Sequence, residues 1–407
     1  MSLQLKIKKA AGLTSASAIN VALLSLLSLV LAKLLTVEEF GITRSVTAYM
    51  IVLTMLGHFT FHDALASMLA RQDDQQQKIH YFSSAALFVL VNSTMLALLA
   101  VLFISNSGLW EGAAQTAMMA VVLCLPLATL SILFNASLQA VGRTRTMAIV
   151  QVANGAVPCL VILSAAFLHQ MSGWVAGRVI GFFLLGGLSF YFVRHYISLA
   201  AIRWSSVLEL MSFAKLQIWS GILSLVIMSA DVILLERLTG DMTEVAQYGL
   251  AVFFIKATMF VPTSISRIYF KSIAKDEHGW GQFLLLVVAV CVAMALTLYA
   301  LGPWLIGYLY SGDYGKAAEL LRHLAITVVF MGLWQAVSTV NIAVGKPKRS
   351  LIVSLSGSLI CMALLLYWVP VYGSFGAAWA INIGYATGVL IGMFMLVRNN
   401  WQSPQGS

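Results

Sequence analysis

Ala140-Val141-Gly142-Arg143-Thr144-Arg145 and Ala343-Val344-Gly345-Lys346-Pro347-Lys348-Arg349 are the two stretches on which the reading of the fold turns. Each is a small turn followed by basic residues and then a long apolar run, opening at Met147 in the first case and Leu351 in the second. Gly142 and Gly345 stand 203 residues apart, and the same offset pairs Ile149 with Ile352, Val150 with Val353, and Lys33-Leu34-Leu35-Thr36 with Glu236-Arg237-Leu238-Thr239. A few residues on, the register slips to 208, so that Phe40-Gly41 meets Tyr248-Gly249, as if Asp241 to Val245 were an insertion in the second copy. Self-similarity at a fixed offset reads as an internal duplication.

The composition says where such a chain resides. It is 60% hydrophobic and only 10% charged, with a mean hydropathy of +0.91, whereas about a quarter of the residues in a soluble domain are charged. A helix needs roughly 20 apolar residues to cross about 30 Å of hydrocarbon, and many runs of that length are present. A membrane barrel would instead alternate apolar and polar residues, a pattern not seen. The sequence thus predicts an all-α integral membrane protein with twelve transmembrane helices, near 13–35, 41–69, 82–105, 113–139, 147–168, 173–193, 213–235, 246–270, 282–301, 317–343, 351–369 and 375–397. Six spans in each half make the copies enter the membrane from the same face. The halves are then two six-helix lobes related by parallel duplication, residues 1–203 including the linker and residues 204–407. The linker around Arg203 and Trp204 reads either as a basic segment along the membrane surface or as a solvated loop.

The net charge of +9 would suggest nucleic acid in a soluble protein, but its distribution points elsewhere. One set of breaks collects Lys6, Lys8, Lys9, Arg71, Lys78, Arg143, Arg145, Arg194, Arg203, Lys215, Arg267, Lys271, Lys275, Lys346, Lys348, Arg349 and Arg398; the other has little beyond Lys33, Arg237 and Lys316. Cytoplasmic loops are the ones rich in Lys and Arg, so both termini are expected in the cytoplasm and nucleic acid is not an expected partner. The first apolar run is too long for a signal peptide and lacks a small-residue cleavage site. Cys124, Cys159, Cys291 and Cys361 sit singly in apolar runs, as small buried hydrophobes.

The stretch Leu31-Ala32-Lys33-Leu34-Leu35-Thr36-Val37-Glu38-Glu39-Phe40-Gly41 resembles the end of the first helix in the polysaccharide-transporter branch of the multidrug/oligosaccharidyl-lipid/polysaccharide exporter superfamily, the group that includes O-antigen flippases. The loop at Gly142-Arg143, its echo at Gly345-Lys346-Pro347, and Gly312-Asp313-Tyr314 with Ala317 and Ala318 add to the likeness, which covers essentially the whole chain. The resemblance implies a flippase for polyprenyl-diphosphate-linked oligosaccharide, such as an O-antigen repeat unit in lipopolysaccharide biosynthesis, in the bacterial inner membrane. It also implies alternating access through a cleft between the lobes, with membrane lipids, a polysaccharide polymerase and a chain-length regulator as partners. A multidrug or small-molecule antiporter of the same superfamily is the runner-up. A polymerase or ligase would need a long external loop that the sequence does not offer. No enzyme activity and no cofactor is expected, and no phosphate-binding loop for ATP is present.

Charges inside spans mark function by default. Arg44 and Lys256 are repeat-related, since the 208 offset places Lys256 at Ala48, one helical turn from Arg44 on the same face. The resemblance puts their helices beside the cleft, where both cations would meet a diphosphate; the other reading is that each snorkels to the interface. Arg178, Arg322 and Lys33 are further cationic candidates for the cleft, or interfacial anchors. Asp231 is expected either to couple an ion or to pair across helices with Lys256 or Arg44. His58, His62 and Asp63 form a polar group suited to gating or proton access. The four-residue spacing of the imidazoles also suits a metal, but no third and fourth ligands are visible, so no metal site is expected. Trp174, Trp304, Trp368 and Trp379 read as interface anchors.

Overall fold

The computed structural model describes residues 3–72, 74–141, 143–275, 280–310 and 312–400. Gly142 lies outside them, as do the side chains of Lys6, Lys8, Lys9, Arg71, Arg267, Lys271 and Lys275. Fourteen α-helices and two short 3-10 turns make up the described chain, and no strand is found among the described residues. In order the helices are α1 (Leu3–Leu34), α2 (Val37–His58), α3 (Phe61–Arg71), α4 (Gln75–Ser107), α5 (Gly112–Val122), α6 (Leu125–Ala140), α7 (Thr144–Val193), α8 (Trp204–Thr239), α9 (Met242–Thr258), α10 (Phe260–Lys275), α11 (Trp280–Tyr310), α12 (Gly315–Leu324), α13 (Thr327–Ala343) and α14 (Pro347–Asn400).

Among the described residues seven helical stretches are long and apolar enough to cross a membrane, or nine if α5 with α6 and α12 with α13 each make one bent crossing. The chain is a multi-pass membrane protein. Two of the seven stretches are too long for one passage. Helix α7 has 50 residues, about 75 Å at 1.5 Å per residue, against a hydrocarbon core of about 30 Å. It is broken at His169 and Gln170, with Gln170 at φ 47°. Helix α14, with 54 residues, is broken at Gly373, whose φ of 55° suits a residue without Cβ. These breaks coincide with the gaps expected after residues 168 and 369.

Elsewhere the breaks are not where apolar runs end. The single span expected over 41–69 is two helices, α2 and α3, parted at Phe59 and Thr60, which have φ 45° and 55°. Neither is glycine, and each such residue carries a strain of about 1–3 kcal/mol that its surroundings must offset. The turn between α5 and α6 is followed by Pro126, and that between α9 and α10 by Pro262. Proline is tolerated in the first turn of a helix because its missing N–H has no intrahelical partner there.

The chain divides into two compact units, residues 1–36 with 46–222, and residues 37–45 with 223–407. The boundary expected at 203/204 meets the start of α8, which runs through the division at 222/223. In the first unit α1 lies along α7, and α6 packs on α3, α4 and α7. Its core includes Phe61, Leu65, Phe82, Val89, Leu133 and Leu138. The linker is packed on the start of α4: Ser84 Oγ accepts from the Arg203 N–H at 2.9 Å, and Tyr81 donates to Glu209 at 2.5 Å. In the second unit α13 packs on α14, α11 and α10, and α12 packs on α9 and α11. All four cysteines are free and buried. Trp304 is 67% exposed, as an anchor should be, but Trp174 is 2% exposed and belongs to the packing of the first unit.

Candidate functional site

Helix α8 carries Asp231 into the second unit, where its side chain is 1% exposed. A buried carboxylate is costly unless hydrogen-bonded and paired. The Tyr248 hydroxyl on α9 donates to its Oδ2 at 2.8 Å, while Oδ1 accepts no hydrogen bond. Lys256, two helical turns beyond Tyr248 on the same helix, feels both Asp231 and Arg44 electrostatically. Tyr385 and Cys361 of α14 also lie within the field of Asp231. Lys256 and Tyr385 line, with Thr327 and Met331, a cavity of about 10 Å³, room for roughly one water.

Arg44 reaches this group from the first turns of α2, whose residues 37–45 belong to the second unit. Its guanidinium donates to the Gly249 carbonyl at 3.1 Å and lies 5.6 Å from the Phe40 ring centroid and 5.7 Å from that of Phe253. A Cβ on Gly249 would stand 2.9 Å from Arg44 Cγ, and one on Gly41 would stand 2.0 Å from the Met242 carbonyl oxygen. Glycine at both positions is what lets α2 approach α9 this closely. Beside Arg44, the Ser45 hydroxyl donates to Glu236 of α8, a carboxylate only 4% exposed. Phe40 meets Tyr314 edge-on at 6.1 Å, and burial pushes the Tyr314 hydroxyl, in the turn before α12, well above the ordinary phenol range.

Of the five cations expected to bind, Arg44 and Lys256 are thus brought together. Arg322 is exposed on α12. Lys33 is exposed at the end of α1, in the first unit. Arg178, in the same unit, lies 5.2 Å from the Phe182 ring centroid, with its Nε buried and unbonded. The group is also not purely cationic. Two cations share their surroundings with two buried carboxylates, because uncompensated charge of either sign is disfavoured away from water. Glu236 and Tyr248 were not singled out in the sequence. The one signal pointing to them was the repeat register, which pairs Glu236 with Lys33 and Tyr248 with Phe40.

His58, His62 and Asp63 form a second polar group, in the first unit. The two imidazoles stand edge to face with centroids 4.5 Å apart. His62 Nε2 is 3.5 Å from an Asp63 carboxylate oxygen, and His62 Nδ1 is buried without a partner. His58 Nδ1 accepts from the Thr60 N–H at 3.1 Å. Asn92 of α4 donates to the carbonyls of Leu56 and Gly57 at 3.0 and 2.8 Å. Among the described residues no group of three or more His, Cys, Asp or Glu side chains could hold a metal ion.

The family model described as "Polysaccharide biosynthesis protein" matches residues 7–270. A protein of Shigella flexneri named "Putative O-antigen transporter" is 23% identical over 391 residues, 87% of this chain and 89% of that protein. Among solved structures, lipid II flippase MurJ in an inward closed conformation superposes with a TM-score of 0.79 at 14% identity, over 96% of this chain and 87% of that one. An inward-facing multidrug resistance MATE family transporter of the MOP superfamily gives 0.72 at 13% identity, over 100% and 97%. At these identities the structural likeness shows a shared fold.

Proposed function

This chain belongs to the polysaccharide biosynthesis protein family, and from that premise we propose that it is a flippase. Its cargo is polyprenyl-diphosphate-linked oligosaccharide, an O-antigen repeat unit or similar, and it acts by alternating access across the bacterial inner membrane with both termini in the cytoplasm. The name of the Shigella flexneri relative and the fold shared with a lipid flippase support the reading. So does the order of elements: α2, α6 and α7 begin at Val37, Leu125 and Thr144, and α9, α13 and α14 at Met242, Thr327 and Pro347, some 200 residues later in each case. On this reading each arm of α7 and α14, and α8 as well, is a crossing in addition to the other apolar stretches, six in each half.

The observation that carries the proposal is the pair Arg44 and Lys256, held within membrane helices beside buried counter-charges. A diphosphate loses several kcal/mol of hydration for each unsatisfied polar group in hydrocarbon. Arg44 offers the planar fork of donors that suits phosphate oxygens, and Lys256 a mobile point charge. Asp231 and Glu236 keep the cations solvated by protein when no lipid is bound. An arriving diphosphate competes with the carboxylates for Arg44 and Lys256 and is released when they recapture them. The lipid tail stays in the bilayer throughout, and the flipped unit passes to the polymerase and chain-length regulator expected downstream.

A buried carboxylate with one unbonded oxygen, Asp231, favours a second reading, antiport of a cationic small molecule. Native mass spectrometry of the purified protein separates the two. Retained polyprenyl-diphosphate oligosaccharide that is lost in the double variant Arg44→Ala, Lys256→Ala supports the flippase. Binding of cationic drugs that survives that double substitution but not Asp231→Asn refutes it.

A further inference from the structure

The chain between α7 and α8 has no α-helix, yet little of its backbone is left to water. The N–H groups of Ile197, Ala201 and Ile202 close its short turns onto the carbonyls of Arg194, Ser198 and Leu199. Side chains from the start of α4 take up more. Ser83 donates to the Tyr196 carbonyl at 3.3 Å and accepts from the Ser198 N–H at 3.0 Å. Ser84 accepts from the Arg203 N–H at 2.9 Å, and His80 Nδ1 lies 2.6 Å from the Ala201 carbonyl oxygen. Irregular backbone can lie against a bilayer only where protein satisfies its polar groups, and this segment meets that condition.

Pinned in this way, the segment turns apolar side chains outward. Leu199 is 82% exposed and Trp204 67% exposed. The same face continues into α8, where Leu208 is exposed one turn beyond Trp204 and Lys215 is exposed two turns further. Glu209 is engaged elsewhere, by the Tyr81 hydroxyl of α4. Helix α8 has 36 residues, about 54 Å, so its first turns have length to spare beyond about 30 Å of hydrocarbon. Leu and Trp among basic residues are the mark of a segment that lies in the headgroup region.

Three guanidiniums gather at this segment. Arg143, at the start of α7, donates to the Phe192 carbonyl at 3.3 Å and lies 5.7 Å from the Tyr196 ring centroid. Arg194 lies 4.5 Å from the Tyr191 ring centroid. Arg203 is held through its N–H by Ser84, next to the Ser83 that holds Tyr196 and Ser198. Among the described residues none of the three pairs with a carboxylate. A ring beneath a guanidinium attracts its face and leaves N–H groups at its edge, and phosphate oxygens suit that fork.

We propose that Arg143, Arg194 and Arg203, with Leu199 and Trp204, form a docking surface for the headgroups of anionic phospholipid, which holds the chain between α7 and α8 against the membrane surface. The lipid phosphates meet the arginines, and Leu199, Trp204 and Leu208 enter the adjoining acyl region. A soluble acidic partner would supply the charge but no cover for those apolar side chains. All of these residues belong to the first compact unit, and the inference rests on no particular cargo.

Two measurements on the full chain test this. In detergent, native mass spectrometry is expected to show phosphatidylglycerol bound at least tenfold more tightly than phosphatidylcholine, since each basic residue at an anionic surface contributes about fivefold. The variant Arg143→Gln, Arg194→Gln, Arg203→Gln should lose that preference, whereas Lys346→Gln, Lys348→Gln, Arg349→Gln, which removes as much charge elsewhere, should keep it. In nanodiscs of mixed phosphatidylglycerol and phosphatidylcholine, with the native cysteines replaced by alanine, a nitroxide attached at Leu199→Cys should collide more with oxygen, which concentrates in lipid, than with an aqueous nickel chelate. A preference that survives the first substitution, or is lost equally in the second, would overturn the proposal, as would a nitroxide more accessible to nickel. Neither measurement involves transport, so the flippase reading stands or falls on its own test.

Discussion

Lys256 has two possible duties, holding the charge of Asp231 and holding a diphosphate, and a double-mutant cycle separates them. Replacing Lys256 with Met removes a cation that lies in the electrostatic field of a carboxylate 1% exposed. Leaving a buried charge uncompensated costs up to about 3–5 kcal/mol. In a unit of this size that corresponds to a melting midpoint lower by roughly 6–20 °C. Replacing Asp231 with Asn in the same chain removes the orphaned charge, and an isosteric neutral pair is often as stable as the ion pair it replaces. The double variant is therefore expected to melt within a few degrees of wild type.

Transport should behave differently. A charge-assisted hydrogen bond to the diphosphate contributes about 1.5–3 kcal/mol, so losing it slows translocation about 10- to 150-fold at low substrate. Asp231→Asn has no means of restoring it. Melting of the purified protein in detergent supplies the first number, and translocation of a fluorescent polyprenyl-diphosphate oligosaccharide in liposomes supplies the second. Recovery of both stability and transport in Lys256→Met, Asp231→Asn would show that Lys256 serves only to neutralise Asp231, and the proposed binding role would be refuted.

Tyr248→Phe leaves Asp231 Oδ2 without the donor it has at 2.8 Å; the expected loss is about 1.5–3 kcal/mol, measured as a lower melting midpoint, and an unchanged midpoint would mean the carboxylate finds another donor. Gly249→Ala sets a Cβ 2.9 Å from Arg44 Cγ, displacing the guanidinium from the Gly249 carbonyl. Translocation should fall about fivefold, for about 1 kcal/mol, while the stability of α9 changes little because alanine favours helix by a similar amount. In a chain whose four native cysteines are replaced by alanine, a single cysteine at Lys33 or Arg237 should react with an impermeant maleimide on intact cells, and one at Arg143 or Lys346 should not. The reverse pattern would invert the topology.

What the sequence made legible follows from how strongly each feature is encoded locally. Membrane crossing is written in the bulk hydropathy, and the breaks inside α7 and α14 were expected because polar or small residues interrupt apolar runs at 169–172 and 370–374. The break at Phe59-Thr60 was invisible, since neither residue is a helix breaker. The turn is made by a histidine two residues back and by Asn92 on another helix, which no local pattern records. The site was half legible for the same reason. A charge within an apolar run stands out because it is costly there, and so Arg44, Lys256 and Asp231 were conspicuous. Which of the cations would share a site was not, because Arg178, Lys33 and Arg322 are equally conspicuous in sequence and differ only in what the fold places beside them. Tyr248, Glu236 and Gly249 are ordinary residues that acquire a role by facing a charge. A buried charge therefore points to the neighbourhood of a site from the sequence alone, whereas the partners that make it tolerable, and so decide whether it is a ligand or a strut, are chosen by helix packing.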